Sequence, residues 1–558
     1  MTYALTLDME THDPAIGDRR GAGWPFKDFE ILGMAYKKDG AEALFTSDTD
    51  VMKDLVLGAK SLIMHNAQYD LGCLHRIGAS YSSKTVIDTV LLAKLFDNTL
   101  MSYSLDNLSK DFLGARKDYA ALEQAASSLG LRKYMSAMKQ MFESFPDLVI
   151  KYAKQDVELT YGLAQMFKSH LYQDGLNLIP FYSDLLKALT LWRSKGVRIN
   201  LDQVAVSIDA LNALHDQHLE IFYSYCPGVN IESTKQLAAA VRELGLTPGM
   251  SAKGGDSVDA AWRKQQDHPA ITALEEAKKF QKLRREFVEG VAARCEDGKL
   301  YPEINIMGAA ETGRFSSSNP NIQQIPKRDP IASELVTNIF LPYEGESWYS
   351  LDFSSQEPRL QVHYAYLAKC RGAEPLVKSF LENPQHDLHQ QVADLAGIDR
   401  KQAKTINLGI SYGMGITKLS QSLRIEEKEG RALLKRYKEL APYLSDLNKA
   451  VQASGEKKGY IKTLLGRRLR MDYLKPYKAL NKLVQGSAAD QTAMALVQAY
   501  REGLPVMFSV HDSIELSSPT EEAAIRMKHI METIATLEVP CYSEILKGKN
   551  WGKVYPLT

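Results

Sequence analysis

No two cysteines of the chain form a C-x-x-C pair. Cys73, Cys226, Cys295, Cys370 and Cys541 are scattered and odd in number, so neither a zinc site nor a disulfide framework is indicated, and a reducing, cytoplasmic compartment fits best. Excess charge is missing as well. Lys+Arg and Asp+Glu both number 68, which leaves any nucleic-acid role to local basic patches. No apolar run reaches membrane-spanning length, so no membrane partner is expected. The opening MTYALTLDMETHD has no basic leader segment and reads as a folded strand almost from residue 1. Internal repeats and low-complexity tracts are also lacking.

What is present is an ordinary globular composition, 45% hydrophobic and 24% charged over 558 residues. That length suffices for roughly two to four domains. In the first third, carboxylates stand out. YALTLDMET alternates as a strand and carries Asp8 and Glu10, which at spacing two share one face. Two adjacent carboxylates repel and raise each other's pKa unless a cation lies between them. Ser61 to Met64 form a short apolar strand, and NAQYD opens a helix with Asp70 in its first turn. VIKYAKQDVELTYGLAQMF reads as a helix with Val149, Tyr152, Ala153, Val157 and Leu163 on its buried side. Tyr152 and Asp156 stand four apart on one face. Singly, each match reads equally well as a strand end, a first-turn acid or an exposed acid. Together, D-x-E, N-x-x-x-D and Y-x-x-x-D resemble the three motifs of DEDD-type 3′–5′ exonucleases, tyrosine subclass. The resemblance implies that Asp8, Glu10, Asp70 and Asp156 hold two divalent metal ions and that Tyr152 orients the attacking water. Hard oxygen donors suit Mg2+, with Mn2+ as a substitute.

Beyond about residue 170 the pattern changes to long amphipathic helices. FYSDLLKALTLWRSKGVRIN is closed by Gly196, LDQVAVSIDALNALHDQHLEIFYSY follows, and STKQLAAAVRELGL runs from a Ser233 cap to Gly245. EEAKKFQKLRREFVEGV carries Lys278, Lys279, Lys282, Arg284 and Arg285, either a solvated face or a set of phosphate contacts. AAETGRFSSSNPNIQQIPKR reads as a polar loop in which Arg314, Asn321, Gln323 and Gln324 offer donors. Trp348 to Leu351 read as a buried strand ending at Asp352, with Ser354 or Ser355 capping a helix that starts near Glu357. GIDRKQAKTINLGISYGMG puts Arg400, Lys404, Leu408 and Tyr412 on one helical stripe, entered through an Asp399–Gln402 capping box and stopped at Gly413. NKLVQGSAADQTAMAL is a small-residue helix with Asn481 and Gln485 four apart. VMFSVHDSIELSS reads as strands Val506 to Val510 and Ile514 to Leu516, with His511 and Asp512 at the turn, where an Asp is also ordinary turn chemistry.

The ordered set T-G-R-x-S-S, D-x-S-x-x-E, R-x3-K-x3-L-x3-Y-G, Q-G-x-A-A-D and V-H-D resembles the family A DNA polymerases, the DNA polymerase I type, over essentially the whole chain. The resemblance implies an α/β multidomain fold. An RNase H-like exonuclease domain would span 1–170 and a right-hand polymerase domain 171–558, with the thumb about 185–300, the palm about 301–375 and 495–558, and the fingers about 376–494. It implies template-directed DNA synthesis with proofreading, primer-template DNA and deoxynucleoside triphosphates as substrates, and two Mg2+ ions at each site. Asp352 and Asp512 would bind the metals of synthesis, and His511 would touch the primer terminus. Arg400 and Lys404 would grip phosphates, Tyr412 would stack near the nascent pair, and Leu408 and Gln356 would lie beside the nucleotide. Glu357 would crowd the sugar 2′ position. Arg314, Asn321, Gln323, Asn481, Gln485, Lys282 and Arg284 would contact DNA.

Three positions depart from the family pattern: Ser513 where many members have Glu, Leu408 where Phe or Tyr is usual, and Tyr477 beside Lys478 where a basic residue is usual. The chain begins at the exonuclease strand, with no 5′ nuclease ahead of it. The Tyr223–Ser233 connection is too short for a thumb insertion that recruits thioredoxin. A phage replicative polymerase fits, monomeric, with a helicase or single-strand-binding protein as accessory partner. Two alternatives stay open: a single-subunit RNA polymerase, opposed by Glu357 and the exonuclease triplet, and a non-catalytic DNA-binding replication factor, opposed by six retained carboxylates.

Overall fold

The computed structural model describes residues 3–131, 137–251, 253–327, 329–411, 414–423 and 425–557; the side chains of residues 395, 396, 410 and 411 are outside that description. Tyr412 and Gly413, the expected base-stacking ring and helix stop, lie outside the described residues.

The first part is a five-stranded mixed sheet of order β3-β2-β1-β4-β5, made of β1 (Tyr3–His12), β2 (Glu30–Lys38), β3 (Leu44–Thr46), β4 (Ala59–Met64) and β5 (Thr85–Asp88). The alternation expected for β1 is present: Leu5, Leu7 and Met9 are buried between its neighbours, antiparallel β2 and parallel β4. A register shift after Glu10 ends the regular pairing beside the two carboxylates, a common use of a bulge next to a site. Helices α1 (Gln68–Arg76), α2 (Leu105–Leu113) and α3 (Pro146–His170) follow. On α3, Val149, Ala153, Val157 and Leu163 are fully buried. Asp156 is buried with them rather than exposed, because the face it shares with Tyr152 is turned onto the sheet's carboxylates.

Helix α4 (Ile179–Lys195) ends at Gly196 and leads into Leu201–Tyr225, against which helix Pro269–Lys282 packs. The hairpin of β6 (Glu303–Ala309) and β7 (Arg314–Ser318) corrects the reading of this segment as a loop. Their pairing is polar: Asn305 donates to Ser316 and Ser318, and Ser318 donates to Glu303; β6 alternates with Ile304 and Ile306 buried, but β7, the strand inside the stretch read as a loop, carries Ser316, Ser317 and Ser318. Strand β8 (Ser347–Phe353) then runs into α5 (Gln356–Leu367). Ser355 stands at the helix entry with φ 54°, but its side chain caps nothing, contrary to expectation. Helices α6 (Arg400–Ser411) and α7 (Ala479–Arg501) come next in the chain, before the strands that complete the second five-stranded sheet. That sheet is wholly antiparallel, of order β9-β10-β8-β11-β12, with β9 (Val506–Val510), β10 (Ser513–Ser518), β11 (Ser543–Gly548) and β12 (Val554–Pro556).

One apolar core runs from β1 and β4 through α4 to β8 and β10, so the two sheets share packing; a second lies under α5 and the helices around α6. Polar ties reinforce the junction. Gln68 on α1 donates to Ile304 O at 3.0 Å, and the Tyr172 hydroxyl accepts from Arg468 N at 2.9 Å.

Helix α7 is buried on nearly every side, as a core helix must be. At its centre Arg467, 2% exposed, donates to Asp490 Oδ1 at 2.6 Å and to the carbonyls of Thr312 and Gly486 at 3.1 and 2.9 Å. The glycine of the T-G-R motif follows from this. Gly313 has φ +80°, and a Cβ there would lie 1.8 Å from the Arg467 guanidinium. We expect Arg467→Met to destabilise the polymerase part by about 3–5 kcal/mol, because Asp490 is left buried and uncompensated. Replacing both partners by apolar residues should recover most of that. Urea unfolding of the two variants checks it, and a loss below about 1 kcal/mol for the single variant would show that the pair is not what holds this helix.

Candidate active sites

The first candidate site forms where β1, α1 and α3 meet. Asp8 and Glu10 point from the same face of β1, and Asp70 Oδ1 accepts the backbone N–H of Met9 at 3.1 Å. Burial, with Asp156 adding like charge, pushes the Asp8 carboxyl up to about 7. Burial and then Asp8 hold Glu10 well above the ordinary carboxylate range, and the same two causes raise Asp70. Burial raises Asp156 too, while Lys117, which donates to it, pulls it partly back. Asp156 Oδ1 is buried without a hydrogen-bond partner. Four repelling carboxylates, one with an orphaned oxygen, are a donor set that fits a divalent cation. Tyr152 lines an adjoining cavity of about 370 Å³ together with Lys151 and Lys154.

The second candidate site is built by strand register. Asp352 is exposed between buried Leu351 and Phe353, and it pairs with Ser513 on β10 and with Glu544 on β11. The two-residue turn His511–Asp512 puts Asp512 next to it, and Phe353 N reaches the Asp512 carbonyl at 3.4 Å. Such a tight turn needs a positive φ, which His511 takes at 57°, and His511 Nε2 lies 2.9 Å from Gln323 O. Asp352, Asp512 and Glu544 line a cavity of about 590 Å³. Arg314, Gln323, Gln356, Glu357, Arg400, Lys404, Leu408 and His511 line it as well. Among the described residues, no three acidic, histidine or cysteine side chains close around one point as a finished metal site, so the ligands are gathered rather than closed.

Each wall has its own support. The Asp399 carboxylate accepts from Lys401 N and Gln402 N at 2.8 and 2.9 Å, and the Gln402 side chain accepts from Asp399 N at 3.3 Å, which is the expected capping box of α6. Arg400 donates to Asp387 at 2.6 Å, and Arg314 pairs with Glu357. Gln356 is buried, with its amide 3.2 Å from Ala488 O and 3.1 Å from Gln491 Oε1, so it fastens α5 to α7. On α7 only Asn481, Gln485 and Ala489 escape full burial between residues 479 and 493, an open stripe at spacing four.

The structure does not bring every expected contact to the cavity. Asn321 caps the short turn Ile322–Gln324 by accepting from Gln323 N. None of the basic run lines that cavity. Lys278 pairs with Glu232, Lys279 with Asp329 and Lys282 with Glu286, while Arg284 donates to Asn212 on the neighbouring helix. Four groups were not found from sequence: Glu544, Lys117, the Arg467–Asp490 pair, and the buried chain His389–Asn407–Tyr437 behind α6. Burial lowers the His389 imidazole to about 4, which keeps it neutral beside Arg400 and Lys404. Each arises from pairing between distant segments, for which local pattern carries no signal. Ser513 at the departure from the family pattern is turned to Glu515 Oε1 and Val510 O, both at 3.0 Å. The carboxylate opposite Asp352 comes from β11 instead.

Comparison with known proteins follows the same division. Residues 4–172 match the family model for 3′–5′ exonuclease, and residues 205–553 match that for DNA polymerase family A. A DNA-directed DNA polymerase of Pseudomonas phage M6 is 32% identical over 88% of this chain and 83% of its own. DNA polymerase DpoZ of Vibrio phage phiVC8 is 29% identical over 88% of this chain and 87% of its own. The solved POL domain of Pol1 from M. smegmatis, in complex with DNA primer-template and dNTP, shares the fold with a TM-score of 0.81 at 21% identity, over 99% of this chain and 96% of that one. The two carboxylate clusters lie on two sheets, each within its own matched region, and the chain belongs to DNA polymerase family A, as a DNA-directed DNA polymerase with a 3′–5′ exonuclease domain.

Proposed function

We propose that the chain copies a template strand at the β8–β10–β11 cavity and removes mispaired 3′ ends at the β1–α1–α3 cluster, as a replicative enzyme of a phage working in the host cytoplasm. The observation that carries the reading is the meeting of Asp352 and Asp512 with Arg400 and Lys404 in one cavity, carboxylates and cations on the scale of a nucleotide. Divalent ions, Mg2+ by donor chemistry, would supply activation of the attacking oxygen and charge neutralisation at the phosphate.

The chain's own residues do the rest. Asp352 and Asp512, fixed by strand pairing, present carboxylate oxygens where the triphosphate and the primer end meet. Arg400 and Lys404 on α6 carry the charge for phosphate oxygens, and Arg400 exchanges Asp387 for them. His511, held by its turn, faces the primer end. Asn481, Gln485 and Arg314 offer donors to the duplex without reading sequence. In the other site Asp8, Glu10, Asp70 and Asp156 gather the ions, and Tyr152 holds the attacking water. Primer-template DNA and deoxynucleoside triphosphates are the substrates this reading requires. Both sites are complete within one chain, which supports a monomer.

Asp352→Ala or Asp512→Ala should abolish primer extension while 3′ trimming continues, and Asp8→Ala with Glu10→Ala should do the reverse. Extension and trimming of a mispaired primer by the same preparations test this. Joint loss of both activities in a protein that stays folded would contradict separate sites.

Sugar selection follows from the Glu357–Arg314 pair, which fixes the Glu357 carboxylate at the cavity wall, and from Leu408, which has neither ring edge nor hydroxyl to meet a 3′ position. Glu357→Ala should raise ribonucleotide insertion about tenfold, equivalent to about 1.4 kcal/mol. Leu408→Tyr should raise dideoxynucleotide insertion. Single-nucleotide insertion kinetics with the three sugars decide it; unchanged ribonucleotide exclusion in Glu357→Ala would remove this carboxylate from the sugar.

A further inference from the structure

Lys117 belongs to no motif, yet it is the cation closest to the exonuclease carboxylates in every respect that the described residues show. It lies in the loop between the end of α2 at Gly114 and helix Ala120–Ser128. That loop is fastened at three successive residues. Lys117 N donates to Asp106 Oδ1 at 3.1 Å, Gln155 Nε2 donates to Arg116 O at 3.2 Å, and Asp118 N donates to Gln155 Oε1 at 3.2 Å. Gln155 is the neighbour of Asp156 on α3, so one turn of helix both offers a carboxylate to the site and grips the loop that carries the lysine.

The lysine side chain is only 10% exposed. Its ammonium donates to the Tyr152 hydroxyl at 3.1 Å and to Asp156 Oδ2, and it lies 4.9 Å from the centre of the Tyr152 ring. An ammonium has three hydrogens and can serve both acceptors at once. It takes only one oxygen of Asp156; the other, Oδ1, is buried and has no hydrogen-bond partner among the described residues. A lysine that simply plugged the cluster would consume the ligands. This one leaves Asp156 an oxygen for a metal ion while fixing the remainder of the carboxylate and the phenol beside it. The charge balance agrees, since Lys117 pulls Asp8 and Glu10 partly back against burial and the neighbouring carboxylates that raise them.

We propose that Lys117 is a positioning residue of the exonuclease site, holding the Tyr152 hydroxyl and the Asp156 carboxylate in their working arrangement before metal and DNA arrive. It acts through those two residues and rests on the exonuclease reading above. Its value is preorganisation: without an interior cation, Asp156 is repelled by its neighbours and Tyr152 loses a partner, so the attacking water meets a phenol that is no longer fixed.

The test compares Lys117→Met and Lys117→Arg in the full chain. Trimming of a mispaired 3′ end should fall about tenfold or more in kcat for the methionine variant, with KM for the primer changed by less than about twofold and primer extension unchanged. The arginine variant should recover part of the loss. Mn2+ binding, followed by electron paramagnetic resonance on an Asp352→Ala background so that the exonuclease site is read, should be as tight in Lys117→Met as in its parent or tighter, because a neighbouring positive charge is removed. Faster trimming by Lys117→Met would make the lysine a plug and overturn the proposal. Loss of Mn2+ binding together with a lowered Tm and no rescue by arginine would reduce it to a structural lysine and overturn it as well. If the unmodified chain shows no trimming that Asp8→Ala with Glu10→Ala removes, the exonuclease reading fails first and the proposal falls with it.

Discussion

The register of β8 between β10 and β11 is the constraint on which the polymerase site depends. Asp352 stands opposite Ser513 and Glu544, and the turn that precedes Ser513 delivers Asp512. A slip of one residue would turn Asp352 to the other face of the sheet and bury Leu351 or Phe353 on the wrong side. The same face is anchored one row further along by Glu515, which is fully buried and receives Trp348 Nε1 at 2.8 Å, Ser350 Oγ at 3.0 Å and Lys327 Nζ at 3.0 Å. That satisfied carboxylate locks the row next to the active one. The sheet therefore carries two acids in different settings, Glu515 buried and saturated to fix register and Asp352 exposed at the cavity.

Around this sheet, buried polar groups tie separate segments of the chain together. Arg467 joins α7, the turn before Arg314 and the hairpin that carries the arginine itself, and Gly313 and Gly486 exist in their motifs because larger residues would strike that assembly. Asn407 on α6 bonds His389 and Tyr437, so the helix that carries Arg400 and Lys404 is held from behind by groups that stay neutral. These contacts come from segments far apart in the chain. They explain why T-G-R and Q-G-x-A-A-D occur together: one guanidinium reads both.

Much of this was legible in the sequence, for physical reasons. Asp8 and Glu10 were found because strand period two places them together, and Asp352 because a buried strand ends beside a helix entry. The stripe of Arg400, Lys404 and Leu408 followed from helical spacing and a capping box. Glu544 and Lys117 were invisible because their partners are set by sheet order and by a loop fastened through Gln155. Strand β7 was misread as a loop, since Ser316, Ser317 and Ser318 give it no hydrophobic alternation of its own. The acidic partners of the basic run, Glu232, Asp329 and Glu286, were not visible in the local sequence.

The two sites share one strategy at different depths. In the first, burial and mutual repulsion lift the carboxylates and an interior lysine steadies them. In the second, Asp352 and Glu544 are exposed and Asp512 half-buried on a wide cavity that Arg400 and Lys404 line from a helix. The account's central claim is that the chain holds two separate divalent-metal centres. Replacing Mg2+ by Fe2+ and mapping the oxidative backbone cuts tests it most directly. We expect two groups of cuts, one near Asp8, Asp70 and Asp156 and one near Asp352, Asp512 and Glu544, with Asp352→Ala removing only the second. A single group of cuts, or loss of both in Asp352→Ala, would contradict the account.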